Sequence, residues 1–367
     1  MKHLRAAAAV MASGALLFTG AVASAQAAPA GAHHHPKGAP LKALAARADL
    51  RFGTAVNMDA LAEDTTYRRI TAREFNSVTA ENVMKWETLQ PERGVYDFSR
   101  GDALVAFARA NGQQVRGHTL LWHNQLPGWL TSGVADGSIT KDELRRILRE
   151  HVTTVAKHYK GKIYQWDVVN EVFEEDGSYR QSLWYQQLGP SYIADTFRWA
   201  RQADPHAKLY VNDYNVEGVN AKSTAYYNLA KELRAQGIKV DGFGIQGHLS
   251  TQYGFPGDIP ANLERFADLG MESSFTEVDV RGVMPMDEAK LTRQADYFRG
   301  MLDACLGQER CTSFTIWGFA DQYSWVPGVF AGEGSANIYD ESYAPKPSYW
   351  AVRQELAEGR DRPGPGR

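Results

Sequence analysis

Two glutamates of this chain, Glu171 and Glu277, each close a short apolar run of β-type residues, 163–171 and 273–277. Two strand ends that each present a carboxyl group are the equipment for cutting a glycosidic bond: one protonates the departing oxygen while the other attacks or stabilises the positive sugar centre. The two roles call for unlike protonation states, so the surroundings of the pair must separate them. For Glu277 the expected partner is His248, donating a hydrogen bond to the anion. Asp279, two residues past Glu277 and so on the same side of its strand, is expected to orient the far ring nitrogen of His248.

Other polar groups gather at the ends of similar runs. Glu81, Asn82 and Lys85 follow 77–80, and His118 and Trp122 follow 114–117. Tyr214 lies just past 208–212, Gln246 and His248 close 242–246, and Trp317 and Trp325 follow 312–316. A single His or Trp at a strand end more often serves packing; so many clusters together exceed what packing explains.

Bringing these groups to one place requires a scaffold whose strand ends share a face. From about residue 50, short β-branched or apolar runs alternate eight times with longer helical patterns, which predicts an α/β fold, a (β/α)8 TIM barrel forming one catalytic domain over 50–357. Such barrels build their sites at the carboxyl ends of the strands. Thr140 with Glu143 forms a capping-box pattern ahead of Leu144, Ile147, Leu148, Val152 and Val155. Leu291, Ala295, Phe298, Leu302 and Cys305 mark a second helical face. No linker divides 50–357, and residues 358–367 read as a disordered tail.

The chain has 367 residues, with 40 Lys plus Arg against 43 Asp plus Glu. That balance implies no basic surface of the kind that would attract nucleic acid or anionic lipid. Nine Trp and 17 Tyr offer faces able to stack on the C–H faces of sugar rings. A basic start, an apolar stretch and small residues ending at Ala25-Gln26-Ala27 read as a signal peptide over 1–27, followed by a flexible leader over 28–49 that includes His33, His34 and His35. The expected location is therefore extracellular. Cys305 and Cys311, six positions apart in an exported chain, are expected to form a disulfide. Nothing in the sequence calls for a metal or a cofactor: there is no Cys/His set suited to zinc and no Gly-rich phosphate loop.

The motifs also carry a resemblance. Residues 166–171 (Trp-Asp-Val-Val-Asn-Glu), 276–279 (Thr-Glu-Val-Asp), 117–123 (Gly-His-Thr-Leu-Leu-Trp-His) and 212–215 (Asn-Asp-Tyr-Asn) resemble the signature segments of family 10 glycoside hydrolases, the endo-β-1,4-xylanases, over about 50–357. The resemblance implies a retaining double displacement with Glu171 as acid/base and Glu277 as nucleophile. It implies that Asn170 binds the 2-hydroxyl of the sugar at the cleavage point, and that His118, Trp122 and Gln246 line that subsite. Glu81, Asn82 and Lys85 would bind the next sugar on the non-reducing side, Tyr214 would carry the leaving sugar, and Trp317 and Trp325 would roof the site against a hydroxymethyl group. The expected partners are xylan and xylo-oligosaccharides, met by a monomer. A β-1,4-glucanase or mannanase on the same barrel is the nearest alternative. A non-catalytic polysaccharide-binding barrel is disfavoured because it has no need of two converging carboxyls.

Overall fold

The computed structural model describes residues 38–359. The expected signal peptide, the three neighbouring histidines and residues 360–367 lie outside that range. Eight strands build the barrel: β1 Arg51–Val56, β2 Ser77–Ala80, β3 Gln114–Gly117, β4 Gln165–Asn170, β5 Lys208–Asp213, β6 Gly242–Ile245, β7 Glu272–Val283 and β8 Cys311–Ile316. Each lies parallel to the next, and β1 also pairs with β8, closing the ring.

The strands are buried along nearly their whole length because helices cover the outer face of the parallel sheet and side chains fill its interior. The helix Lys141–His158 buries Leu144, Ile147, Leu148, Val152 and Val155, the face its spacing predicted. Its start differs in one detail. Thr140 Oγ1 accepts the Glu143 N–H (3.3 Å), but the Glu143 carboxylate is drawn to Arg93 and Arg146 and does not complete the capping box. The helix Glu288–Leu306 buries Ala295, Phe298, Leu302 and Cys305, while Leu291 is half-buried. On the outer face of the ring, Gly117 permits Trp166 to lie across β3 toward Tyr159 at the end of the helix Lys141–His158: a β-carbon at Gly117 would fall 2.2 Å from the indole.

Two expectations are corrected. The folded body begins before residue 50, since the helix Leu41–Ala45 buries Leu41 and Leu44. It is tied down by the buried Glu74, whose Oε2 accepts the Leu41 N–H (2.8 Å), and by Lys42 Nζ donating to the Ala72 carbonyl (2.7 Å). Glu277 does not close its strand either. β7 continues past it, pairing with the short strands His248–Ser250 and Glu333–Gly334, which satisfy backbone groups beyond the barrel rim. The register against β8 shifts between Phe275 and Val278, and such an irregularity re-aims a side chain; Glu277 sits within it.

The expected disulfide joins Cys305, at the end of its helix, to Cys311, the first residue of β8. Closing so short a loop is worth about 2 kcal/mol in the chain-entropy view. Replacing both cysteines with Ser should lower the unfolding free energy by about that amount, measured by denaturant titration with far-UV circular dichroism unchanged; undiminished stability would show that the loop is already ordered without the bond.

Candidate active site

Glu171 is the first residue beyond β4, at a left-handed φ of 57°. Such a backbone persists only where its surroundings hold it. Here the Glu171 N–H donates to the Asn212 carbonyl (2.9 Å), and its own carbonyl accepts from Arg180 Nε (2.8 Å). The turn aims the carboxyl group into three donors. Oε1 accepts from Gln246 Nε2 (3.1 Å) and Asn170 Nδ2 (3.2 Å), and Oε2 from Trp122 Nε1 (2.9 Å). His123 Nδ1 lies 3.9 Å from Oε2.

Glu277 sits lower, in the mouth of the barrel. Asn212 Nδ2 donates to its Oε1 (2.8 Å) and to Asn170 Oδ1 (2.8 Å). The amide is oriented by Thr276 Oγ1, which donates to Asn212 Oδ1 (2.6 Å). Gly244 leaves room for that oxygen, since a β-carbon would stand 2.4 Å from it. On the other side His248 Nε2 is 3.5 Å from Glu277 Oε2, and its Nδ1 is 3.0 Å from Asp279 Oδ1. Trp325 Nε1 donates to Asp279 Oδ2 (2.7 Å). Beneath lies Arg116, fully buried, ion-paired with Asp167 and 3.7 Å from Glu277 Oε1. His118 Nδ1 is 2.8 Å from Asp167 Oδ2 and 3.8 Å from Glu277 Oε1.

These neighbours settle charge. Burial pushes the Glu277 carboxyl up, but His118, the hydrogen bond and charge of His248, and Arg116 outweigh it and bring it down to about 2. Burial pushes His248 down, and Asp279 and Glu277 outweigh it, raising it to about 10. Near neutrality Glu277 is an anion and His248 a cation. His118, Asp167 and Glu277 also offer ligand atoms within 4.8 Å of one another. Arg116 already bridges Asp167 and Glu277 there, supplying the positive charge a metal would bring.

Both glutamates line one cavity of about 710 Å³, together with Glu81, Asn82, Lys85, His118, Trp122, Asn170, Tyr214, Gln246, His248, Trp317 and Trp325. Asp279 stands behind the wall. Lys85 Nζ donates to Asn82 Oδ1 (2.8 Å); burial lowers its pKa, opposed by the charges of Glu277, Glu81 and Glu171. Glu81 is pushed up by burial and held back by Lys85. Trp317 stands edge-on to His118, ring centres 5.2 Å apart, and Trp325 is 5.0 Å from His248. Trp122 and Gln246, expected only to line the site, also hold the Glu171 carboxyl.

Three partners are missing from the sequence expectation. Asn212, not His248, makes the shortest hydrogen bond to Glu277, although Asn212 lies inside a motif already singled out. Arg116 and Asp167 are the others. Their signal was a charge of each sign inside the otherwise uncharged strands β3 and β4.

Residues 40–355 match the family described as glycosyl hydrolase family 10. The chain is similar to an endo-1,4-beta-xylanase of Agaricus bisporus, 45% identical over 314 residues, 85% of this chain and 93% of that one. It is 44% identical over 324 residues to endo-1,4-beta-xylanase B of Thermotoga neapolitana, 87% of this chain and 92% of that one. Among solved structures it resembles xylanase 10B of Thermotoga petrophila RKU-1 in complex with xylobiose, with a TM-score of 0.85 and 42% identity, covering 89% of this chain and 100% of that chain.

The charge pairing makes a signed prediction. Because His248 rises from 6.5 to about 10 on folding, its stabilisation is complete below 6.5 and is lost as pH climbs through about 10. Because Glu277 falls from 4.5 to about 2, its stabilisation is present above 4.5 and is lost as pH falls towards 2. In His248→Ala the alkaline loss should vanish from the stability profile, and the Glu277 carboxyl, followed by NMR of labelled Glu, should titrate at higher pH. An unmoved Glu277 titration would show that His248 does not hold the anion.

Proposed function

The chain belongs to glycosyl hydrolase family 10 and is a glycoside hydrolase of the endo-1,4-β-xylanase kind; on that premise we propose that it cuts internal β-1,4-xylosidic bonds of xylan with retention, Glu277 acting as nucleophile and Glu171 as acid/base. The observation that carries the reading is a buried carboxylate held near a pKa of 2, facing the same cavity as a second carboxyl of different surroundings. The Glu277 anion attacks the anomeric carbon as the bond to the leaving oxygen breaks, and Glu171 gives that oxygen its proton. A covalent xylosyl ester and a free sugar hydroxyl result. Glu171, now ionised, takes a proton from water, whose oxygen attacks the same carbon and returns Glu277 as carboxylate.

Asn212 and the His248 cation steady the charge that Glu277 regains, and their positions are fixed before substrate arrives. Asn170 donates to Glu171 and accepts from Asn212, which in turn donates to Glu277, and this chain of hydrogen bonds lies close to where the 2-hydroxyl of the reacting sugar would sit. Glu81, Asn82 and Lys85 bind the preceding sugar, and Tyr214 the leaving one. Trp317 and Trp325 narrow the space over the cleavage point, so a pentose unit fits where a hydroxymethyl group would collide. The xylobiose held by the Thermotoga petrophila relative supports this substrate class. Export is supported by the order of basic, apolar and small residues at the amino terminus and by the disulfide.

Glu277→Gln and Glu171→Gln should each lower kcat on xylan by about a thousandfold. In the native protein, NMR of freshly cut xylotetraose should show the β-anomer first, and carboxymethylcellulose should be a far poorer substrate than xylan. An α-anomer appearing first would sink the retaining mechanism, and equal rates on the two polymers would sink the role given to the tryptophan roof.

A further inference from the structure

One lysine takes no part in the chemistry above. Lys222, near the start of the helix Ala221–Ala235, is fully buried. A buried ammonium is costly unless it is closely paired, and its partners are specific. Nζ lies 2.9 Å from Asp213 Oδ1 and 3.0 Å from Glu175 Oε1. It also stands 3.6 Å from the centre of the Tyr214 ring, well inside the range of a cation–π contact. Tyr214 lines the cavity and Lys222 does not. The lysine therefore sits against the ring from behind the wall.

Its anchors are themselves held. Asp213, just before Tyr214, accepts the Tyr214 N–H through Oδ1 (2.8 Å) and the Tyr226 hydroxyl through Oδ2 (2.6 Å). That hydroxyl accepts the N–H of Val172 (3.0 Å), the residue after Glu171. Arg180 Nη2 donates to the Tyr214 hydroxyl (2.9 Å) while its Nε holds the Glu171 carbonyl. The tyrosine is thus gripped on one face and at its tip, and both grips lead back to the backbone that carries Glu171.

We propose that Lys222 is a positioning residue for the leaving-sugar side: pressed against the inner face of Tyr214, it holds the outer face where the sugar departing from Glu171 must stack. The inference rests on the xylanase reading above and adds to it a residue outside the cavity. Asp213, pushed up to about 7 by burial against the pull of Lys222, fits an acid that relies on this cation.

The test compares two substrates. Xylotetraose places a sugar on Tyr214, whereas 2,4-dinitrophenyl β-xylobioside leaves as an ion that is not a sugar and needs no proton. In Lys222→Met, kcat/KM should fall about tenfold more on xylotetraose than on the aryl xylobioside, a ratio in the range of a desolvated cation–π contact. Lys222→Arg should recover part of that ratio. Lys222→Met/Asp213→Asn, which leaves no buried charge unpaired, should keep the ratio change while folding as shown by circular dichroism. Equal losses on both substrates in a folded variant would overturn the inference and leave the xylanase reading standing, as would an Arg variant indistinguishable from Met. A native protein inert on both substrates would overturn the two together.

Discussion

The molecule is organised around keeping one carboxylate charged where water is scarce. Glu277 is buried in the mouth of the ring, and burial by itself favours its protonated form. The opposing groups come from different strands and loops: Arg116 from β3 beneath it, Asn212 from β5 beside it, and His248 from the segment after β6. Each is held in turn, Arg116 by Asp167, Asn212 by Thr276 and His248 by Asp279. A removed partner would leave a buried charge uncompensated, which costs more than the pair itself stabilises. The apolar helices and closed sheet give this small polar network the rigid walls it needs.

Barrel register then sets where the second carboxyl stands. Asn170 pairs with Asn212 across β4 and β5, and Asn212 with Gly244 across β5 and β6. The amides of Asn170 and Asn212 therefore meet side by side, linking Glu171 at the rim to Glu277 below through hydrogen bonds of 3.2, 2.8 and 2.8 Å. Glu171 follows a left-handed turn and accepts from neutral donors, whereas Glu277 faces cations. Unlike surroundings for like residues are how two carboxyls take different parts.

The two glutamates were legible in sequence because each follows a β-type run and because alternation of strand and helix fixes where strand ends go. The polar clusters at those ends were legible for the same reason, and all but Asp279 reach the cavity. Asn212 was not singled out from its motif because its value lies in which way its amide turns, and that is decided by Thr276 and the empty space at Gly244, both distant in the chain. Arg116 and Asp167 read as isolated charges until the ring brings them together. The amino-terminal boundary was not legible because the helix Leu41–Ala45 is fixed by the Leu41 N–H to Glu74 and by packing against the far carboxyl-terminal helix Pro347–Glu358, contacts no local pattern reveals.

Trp325, proposed as part of the roof, and Glu277, proposed as the nucleophile, are not independent parts. Trp325, expected to select for a pentose by bulk, donates its indole N–H to Asp279, which stands 3.0 Å from His248, which in turn faces Glu277. The carboxylate of Asp279 is shared between Trp325, which lines the cavity, and His248, which favours the charged form of Glu277. Displacing the indole to admit a bulkier sugar would take a donor from Asp279 and alter the hold on His248. A hexose unit would then meet both a steric obstacle and a nucleophile whose electrostatic support had shifted. On the proposed function, selection by space and activation by charge are coupled through one buried aspartate, so a roof variant that merely enlarges the cavity would not leave the chemistry below it unchanged.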